Sequence, residues 1–237
     1  MTEKTSELVV IENLKVIRDK VAAAAEKSGR KAEDVRIMAV TKTVAPELVN
    51  VAINNGISLL GENRVQEYLD KKDSYIPNTE THFIGHLQTN KVKYIIDKVS
   101  MIQSVDSIKL AKEISKCAIK NNLTMDILVE INIGDEESKS GIEAEKAEEL
   151  VREIAELEAI RVKGIMSIPP ICEKNEQSLD YFSRLRQIFV DIGAKNIDNV
   201  YMEYLSMGMS QDFEAAIEMG SNIVRIGSAL FGQRQYN

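Results

Sequence analysis

The chain has 237 residues and a mass of 26.5 kDa, which suits one domain of barrel or doubly wound size, or two small domains. Hydrophobic residues make up 44% and charged residues 28%, a composition that excludes a disordered chain, a collagen-like chain and a disulfide scaffold. The formal net charge is −7 and the pI about 5.1, so the surface repels phosphate backbones and nucleic acid is not an expected partner.

The start of the chain does not resemble a targeting segment. Charged residues are scattered through residues 1–30, which have no apolar h-region, and no stretch approaches the roughly 18 uncharged apolar residues of a membrane span. The two cysteines, Cys117 and Cys172, are far apart and form no CxxC motif, so nothing requires an oxidising compartment. We expect a cytoplasmic protein without a membrane segment.

Apolar residues at helical spacing predict an amphipathic helix over about residues 5–28, with Gly29 as its stop. The residues that carry this pattern are Leu8, Ile11, Leu14, Val16, Ile17 and Val21. After this helix the chain alternates short Val- and Ile-rich runs with helical segments. Eight runs are predicted strands: Arg36–Thr41, Ile57–Leu60, His82–Gly85, Met101–Val105, Met125–Ile133, Val162–Ile168, Val200–Leu205 and Asn222–Ile226.

The intervening segments predict helices, one beginning at Pro46, one over Glu143–Leu157 and one from near Ser210 to Gly220. Strands that alternate with helices predict a parallel sheet, and eight such units are typical of a single-domain (β/α)8 barrel. A doubly wound open sheet is the alternative, but no GxGxxG motif follows the first strand. We predict one domain over residues 1–237, with the barrel at about 35–232 and an acidic surface loop at 134–141.

In such a barrel the reactive groups follow the carboxyl ends of the strands. Lys42 comes directly after the first predicted strand. Burial would lower the pKa of its amine, and a neutral amine attacks a carbonyl to form a Schiff base. The alternative is a strand-end lysine whose amine reaches solvent.

Hydroxyls and glycines follow the seventh and eighth predicted strands, in Leu205–Ser210 and Arg225–Ala229. Loops at these two places are the usual phosphate site of the barrel, because backbone N–H groups at a helix start bind anions. Ser206, Ser210, Gly227 and Ser228 are the candidate residues. Ordinary turn and capping chemistry would use the same residue types.

Arg225 lies inside the last apolar run, where side-chain alternation would point it into the barrel. A buried guanidinium needs an acceptor, either a carboxylate such as Glu203 or a ring nitrogen of a ligand. The two histidines, His82 and His86, would lie on one side of the third strand if it continued that far. They have no accompanying Cys or carboxylate cluster, so we expect no metal site, and we expect His86 to line the pocket.

A lysine after the first strand and a phosphate cradle after the last two strands suit an aldehyde that also carries a phosphate. Pyridoxal 5′-phosphate (PLP) is such a molecule. A Schiff-base aldolase acting on a sugar phosphate would use the same two elements, so the residues alone leave both open.

A set of motifs in a fixed order resembles the pyridoxal phosphate homeostasis proteins (the YggS-like, or PROSC, family). The matching segments are Ala39–Lys42, Gly61–Glu67, His82–Lys91, Ser104–Asp106, Asn132–Gly141, Gly164–Pro169, Leu205–Asp212 and Gly220–Gly232, which together span nearly the whole chain. The resemblance implies a barrel like the N-terminal domain of alanine racemase. Asn222 and Ser228 depart slightly from the family, which often has threonine at these positions.

The resemblance also implies roles for single residues. Lys42 would hold PLP as a Schiff base, Asn63 and His86 would lie beside its ring, and Arg225 would face the pyridine nitrogen. The remaining cofactor-binding residues implied are Ser206, Ser210, Gly227 and Ser228. Because arginine keeps its proton, the ring would be a weak electron sink.

The chain ends a few residues after the eighth predicted strand. In alanine racemase a second domain supplies a tyrosine as the other acid/base group, and we interpret the end of this chain as leaving no room for such a domain. We therefore expect a non-catalytic carrier and regulator of PLP in vitamin B6 balance, with PLP-dependent apo-enzymes as acceptors. A fold-type III amino-acid racemase is the alternative. We expect a monomer or a weak dimer.

Overall fold

The structure is a computed structural model that describes residues 3–134, 140–170 and 175–232. Within these residues nine strands form, all in parallel pairs. Their bounds are β1 Arg36–Val40, β2 Leu59–Glu62, β3 Glu80–Phe83, β4 Met101–Val105, β5 Met125–Asn132, β6 Ile142–Glu143, β7 Ile160–Met166, β8 Val200–Met209 and β9 Ile223–Ile226.

Eight of these strands close into a barrel. The order is β4-β3-β2-β1-β9-β8-β7-β5, and the pairing of β4 with β5 closes the ring. The two-residue strand β6 pairs with β5 beyond the ring. The predicted (β/α)8 barrel is therefore confirmed. The doubly wound alternative is wrong, because in an open sheet β4 and β5 would not pair with each other.

Helices surround the barrel, in agreement with strand runs that are apolar on both faces. They are α1 Glu3–Lys27, α2 Pro46–Asn54, α3 Val65–Lys71, α4 Val92–Ile95, α5 Ile108–Lys120, α6 Ala147–Ala155, α7 Asn175–Ala194, α8 Phe213–Glu218 and α9 Ser228–Phe231. None of the helices in the described ranges is both long and apolar enough to cross a membrane.

The extra N-terminal helix α1 is present as predicted and packs on α2, α8 and α9. Its buried stripe consists of Val10, Leu14, Ile17, Val21, Ala24 and Ala25. Three residues of the predicted apolar pattern are exposed instead: Leu8, Ile11 and Val16. A helix that rests on one side of a barrel buries a single stripe, so apolar residues outside that stripe face solvent.

The largest difference from the sequence prediction is at β8, which continues to Met209 rather than ending at Leu205. A bulge shifts its register against β9 between Ser206 and Met209. Gly208 lies at φ 90°, and a Cβ there would come within 2.5 Å of the Cβ of Ala216 on α8. The serine and glycines in this segment are thus strand and bulge residues, although the same residue types favour turns.

Two other predicted features fall partly outside the described ranges. Residues 135–139 of the acidic loop and Cys172 lie there. Cys117 is described, and it is a free cysteine buried on α5. The predicted helix over Glu143–Leu157 is shorter than expected, because α6 begins at Ala147 after one 3-10 turn.

Candidate functional site

A cavity of about 460 Å³ opens at the carboxyl end of the barrel strands. Its lining comes from residues in or just after β1, β2, β3, β7, β8 and β9, with Ser178 from α7: Val40, Lys42, Asn63, Ile84, Ile168, Pro170, Met209, Ser210, Gln211, Asp212, Arg225, Gly227 and Ser228. A second cavity of about 390 Å³ shares Val40, Lys42, Gly227 and Ser228 with the first. The predicted lysine and the predicted phosphate turn therefore border the same space.

A larger cavity of about 600 Å³ lies at the opposite end of the barrel, between α1 and the start of β1. Residues at the amino-terminal face of this fold contribute to stability, whereas the chemistry takes place at the carboxyl face. The cavity that contains Lys42 is accordingly the candidate active site.

Lys42 follows β1 and is half-buried. The next residue, Thr43, has a left-handed backbone with φ 63°. A β-branched residue in this region is a conformational outlier. The chain therefore turns sharply at the residue that follows the predicted Schiff-base lysine.

Asn63 follows β2, and its side chain lines the cavity. Its Oδ1 atom is buried and has no hydrogen-bond partner among the described residues. Buried acceptors are nearly always satisfied, so this oxygen is available to a donor from a water or a bound molecule. The backbone of Asn63 lies so close to the next loop that a Cβ on Gly85 would come within 2.1 Å of its carbonyl oxygen.

His86 lies at the rim, with its side chain 62% exposed. Its Nδ1 is 3.4 Å from Ser140 Oγ and 3.8 Å from Asp106 Oδ2. The structure does not place His86 in the lining of the cavity, because β3 ends at Phe83 and its last cavity-lining neighbour is Ile84. Contact of His86 with a bound cofactor stays a prediction.

The two histidines are also not on a common face, because His82 is fully buried inside the barrel. Among the described residues no group of three or more His, Cys, Asp or Glu side chains could hold a metal ion.

The turn after β9 gathers backbone N–H groups around one hydroxyl. Ser210 Oγ accepts hydrogen bonds from the N–H of Gly227 at 3.2 Å and from the N–H of Ala229 at 3.1 Å. Ser228, between these two residues, is exposed at the start of α9. Amide groups that converge on one oxygen are the arrangement that binds a phosphate oxygen.

Arg225 is buried, with 3% of its surface exposed. Its Nη1 donates to the carbonyl and the hydroxyl of Ser206, both at 2.8 Å, and its Nη2 donates to the carbonyl of Ser167 at 2.7 Å. Burial lowers the pKa of Arg225 to about 10, while Glu130 and Asp212 oppose that fall. The guanidinium therefore keeps its charge at neutral pH and presents only donors.

The suggested partner Glu203 is wrong. Glu203 instead accepts a hydrogen bond from Lys163 Nζ at 2.7 Å, whereas Arg225 donates to Ser206 and Ser167.

Ser206 belongs to β8, not to a loop, and is fully buried. Its hydroxyl accepts from Arg225 and donates to Gln103 Oε1 at 2.8 Å. Gln103 Nε2 lies 2.8 Å from His82 Nδ1, and His82 Nε2 lies 2.7 Å from Glu80 Oε1. A continuous chain of side chains thus joins Arg225 to Glu80 at the other end of the barrel.

Sequence reasoning did not identify Gln103 or Glu130, although each is a polar residue in a largely apolar strand. Glu130, on β5, is 4% exposed, and its Oε2 has no hydrogen-bond partner among the described residues. Burial raises the pKa of Glu130 to about 7, the charge of Asp106 adds to the rise, and Arg225 opposes it. The sequence signal that could have identified these two residues is a polar side chain at an inward-pointing position of a predicted strand.

These features define the class of the protein as a barrel of the alanine racemase N-terminal type. The sequence model of the family described as "Alanine racemase, N-terminal domain" matches residues 13–235. A pyridoxal phosphate homeostasis protein from Aquifex aeolicus (strain VF5) is 45% identical over 226 residues, which cover 95% of this chain and 98% of that relative. The chain therefore belongs to the pyridoxal phosphate homeostasis protein family, which confirms the resemblance found in its motifs.

Two solved structures share the fold. A crystal structure of an unknown protein from Bifidobacterium adolescentis is 33% identical, with a TM-score of 0.92 and coverage of 97% of both chains. The structure of PipY from Synechococcus elongatus PCC7942 with PLP bound has a TM-score of 0.83 at 24% identity and covers 94% of this chain and 100% of PipY. At that identity the likeness to PipY supports the fold alone.

Proposed function

We propose that this protein binds PLP through a Schiff base on Lys42 and acts as a carrier and regulator in PLP homeostasis, without catalytic turnover. The observation that carries the proposal is the cavity that Lys42 shares with the amide turn of Gly227 and Ser228. The names of the curated relatives support it.

The residues around the cavity fit such a cofactor. Lys42 offers an amine, and the hydroxyls of Ser210 and Ser228 would hold the phosphate, with Ser210 Oγ oriented by the N–H groups of Gly227 and Ala229. Asn63 Oδ1 is a buried acceptor that a bound molecule would satisfy. When bound, PLP supplies an aldehyde that condenses with a primary amine, with loss of water, to a Schiff base that a second amine can exchange.

Arg225, anchored by Ser206, would face the pyridine nitrogen. Because a guanidinium only donates, the group it faces must accept, and a ring nitrogen that accepts carries no proton of its own. Such a nitrogen draws little electron density from the Schiff-base carbon. The arrangement favours holding an aldehyde over stabilising a carbanion.

The ionisable groups at the cavity also favour a carrier over a racemase. Among the described lining residues these are Lys42, Asp212 and Arg225, and Asp212 Oδ1 accepts from the backbone N–H of Met209 at 2.6 Å. Racemisation needs a second acid/base group on the far side of the substrate carbon. We further propose that PLP-dependent apo-enzymes of the cytoplasm receive the cofactor, with the carrier a monomer or weak dimer.

The first test is the visible absorption of the purified protein, followed by borohydride reduction and peptide mass mapping. We expect a yellow protein with one reduced pyridoxyl group on the peptide that contains Lys42. The Lys42→Ala variant should lose the absorption band and retain cooperative unfolding, since the residue lies at the functional rim. A colourless protein that takes up no added PLP would contradict the assignment, as would loss of cooperative unfolding in the variant.

Two further measurements separate carrier from enzyme. A carrier should reactivate a PLP-dependent apo-enzyme at a rate above that of spontaneous PLP release. Incubation with a panel of amino acids in deuterium oxide should give no deuterium at the α-carbon. Deuterium incorporation for any amino acid would favour a racemase, and a loaded protein that never transfers PLP would overturn the carrier.

A further inference from the structure

The turn that carries Lys42 is held on both sides by acidic side chains, one from the last residue of β2 and one from α3. On one side, Thr41 is buried, and its hydroxyl donates to Glu62 Oε1 at 2.7 Å. On the other side, the backbone N–H of Thr43 donates to Glu67 Oε1 at 2.5 Å. Lys42 is therefore the middle residue of a tripeptide whose two ends are bound to Glu62 and Glu67.

Glu67 also binds the ammonium group of Lys71 next to this turn. It lies one helical turn before Lys71 on α3, and Lys71 Nζ donates to Glu67 Oε1 at 2.5 Å. The same ammonium group is 3.4 Å from the carbonyl oxygen of Thr41. The two side chains are 18% and 16% exposed, so the pair is shielded from most of the solvent. Glu67 thus contacts the turn directly through Thr43 and indirectly through Lys71.

The ionisation state of Glu67 suits its role as the acceptor for the Thr43 N–H and the Lys71 ammonium group. Burial alone would raise its pKa, but the hydrogen bonds from Lys71 and Thr43 outweigh burial and hold the pKa of Glu67 below its usual value. At neutral pH the side chain is consequently an ionised carboxylate that only accepts. A charge-assisted bond of this kind is about twice as strong as a neutral one.

The backbone at Thr43 needs such a bond. Its φ of 63° is unfavourable for a threonine, and strained backbone persists only where the surroundings fix it. The contact with Glu67 is a fixed acceptor placed directly at the strained residue. Without it, the hydrogen bond from the N–H of Val44 to the carbonyl of Thr41, at 3.0 Å, would still close the turn, but the N–H of Thr43 would lose its acceptor and Lys42 would be held less firmly.

We propose that Glu67 is a positioning residue for Lys42, acting through its hydrogen bond to the backbone of Thr43. The inference rests on the proposed function, because it concerns the amine that would form the Schiff base. Correct orientation of an amine toward a carbonyl accelerates bond formation, and small misplacements slow it considerably. Loss of the contact should therefore slow Schiff-base formation by about ten-fold or more.

The test compares Glu67→Ala, which removes the acceptor, with Glu67→Gln, whose amide oxygen still accepts from Thr43. The matched control is Glu148→Ala on α6, since Glu148 also forms an i,i+4 ion pair, with Arg152 at 2.8 Å. Hydrogen exchange of the Thr43 amide is measured by NMR on PLP-free protein. The rate at which the Schiff-base absorption appears is then measured after mixing with PLP, and thermal unfolding is recorded for each variant.

We expect E67A to lose protection of the Thr43 amide and to react about ten-fold more slowly, E67Q to keep partial protection and an intermediate rate, and E148A to keep values close to those of the wild type. A wild-type rate in E67A overturns the proposal, even if its unfolding temperature falls, because a purely structural role predicts only that fall. Equally slow reaction of E67Q with an intact Thr43 amide would also overturn it. If the wild type forms no Schiff base, the proposed function itself fails, an outcome that the wild-type trace alone identifies.

Discussion

The hydroxyl of Ser206 donates a hydrogen bond to Oε1 of Gln103, 2.8 Å away, inside the barrel. This bond lies in the middle of a chain whose direction is determined at both ends. Arg225 at one end can only donate, and ionised Glu80 at the other can only accept, because His82 and Arg36 hold the pKa of Glu80 at about 2.

Every group between these ends then has one role. Burial lowers the pKa of His82, so its ring is neutral at neutral pH, with Nε2–H donating to Glu80 and Nδ1 accepting from Gln103. Gln103 in turn accepts from Ser206, and Ser206 accepts from Arg225. A buried network in which each member is satisfied is rigid. The orientation of Arg225 at the cavity is therefore set by residues that do not line the cavity.

Replacing Gln103 should consequently affect cofactor binding from a distance. In Gln103→Leu, Ser206 and His82 each lose a buried partner, which should lower the free energy of unfolding by roughly 1–3 kcal/mol and loosen Arg225. Urea unfolding and PLP titration measure the two effects. The control Ser115→Ala removes another buried hydroxyl, which donates to the carbonyl of Glu158 at 2.6 Å, and should lower stability without changing affinity. Wild-type affinity in Q103L would contradict a link from Gln103 to Arg225.

Arg225 itself should affect both affinity and colour. Removing a charged hydrogen-bond donor from a buried site costs about 1.5–3 kcal/mol, so Arg225→Ala should bind PLP roughly 10- to 100-fold more weakly. The absorption band should also shift, because the ring nitrogen loses the donor that faces it. Arg152→Ala, which removes one surface guanidinium, is the control for the change in net charge. An unchanged band and affinity in R225A would exclude Arg225 from contact with the ring.

The parts of the site that sequence could predict are those that depend on position in the fold. Alternating strands and helices predicted the barrel, and the barrel places Lys42 and the turn at Gly227 at the same end. Both indeed border one cavity. The amide turn could be predicted because serine and glycine after the last strand have a known use in this fold.

The parts that could not be predicted depend on which residues meet across the barrel. Ser206 was expected in a loop because bulge and turn residues have the same composition. Glu203 was a reasonable partner for Arg225 from the sequence, but in the structure it pairs with Lys163. The path from Arg225 to Glu80 connects four strands, and one sequence carries no signal for such long-range pairings.

Glu130 should make stability depend on pH. Its pKa rises from 4.5 in the unfolded chain to about 7 in the folded protein. Between these values the folded state binds more protons than the unfolded state, so stability falls as pH rises from 4.5 to 7 and then stays lower. With about 1.4 kcal/mol for each pH unit, the loss is up to about 3 kcal/mol.

Glu130→Gln should remove this dependence, and its stability should increase relative to the wild type as pH rises through the same range. Urea unfolding at pH 5, 6, 7 and 8 measures the difference. The control is Glu203→Gln, which replaces a half-exposed carboxylate on β8 and should follow the wild-type profile in shape. A constant difference between E130Q and the wild type at all four pH values would show that Glu130 is ionised throughout.

Gly85 and Gly227 should respond differently to the same substitution, although both border the cofactor end of the barrel. A Cβ on Gly85 would lie 2.1 Å from the carbonyl oxygen of Asn63, whereas at Gly227 the nearest atom is Val40 Cβ at 3.5 Å, an ordinary contact. Gly85→Ala must therefore displace the backbone of Asn63, and overpacking of this kind costs about 1–3 kcal/mol. Gly227→Ala should leave the unfolding free energy of the PLP-free protein nearly unchanged. Urea unfolding of the two variants checks the contrast. Equal losses of unfolding free energy in G85A and G227A would mean that the close approach of Gly85 to Asn63 does not cause the loss. Because Asn63 lines the cavity, G85A should also weaken PLP binding in a titration. A variant that only lost stability would bind PLP with wild-type affinity under conditions in which it is folded.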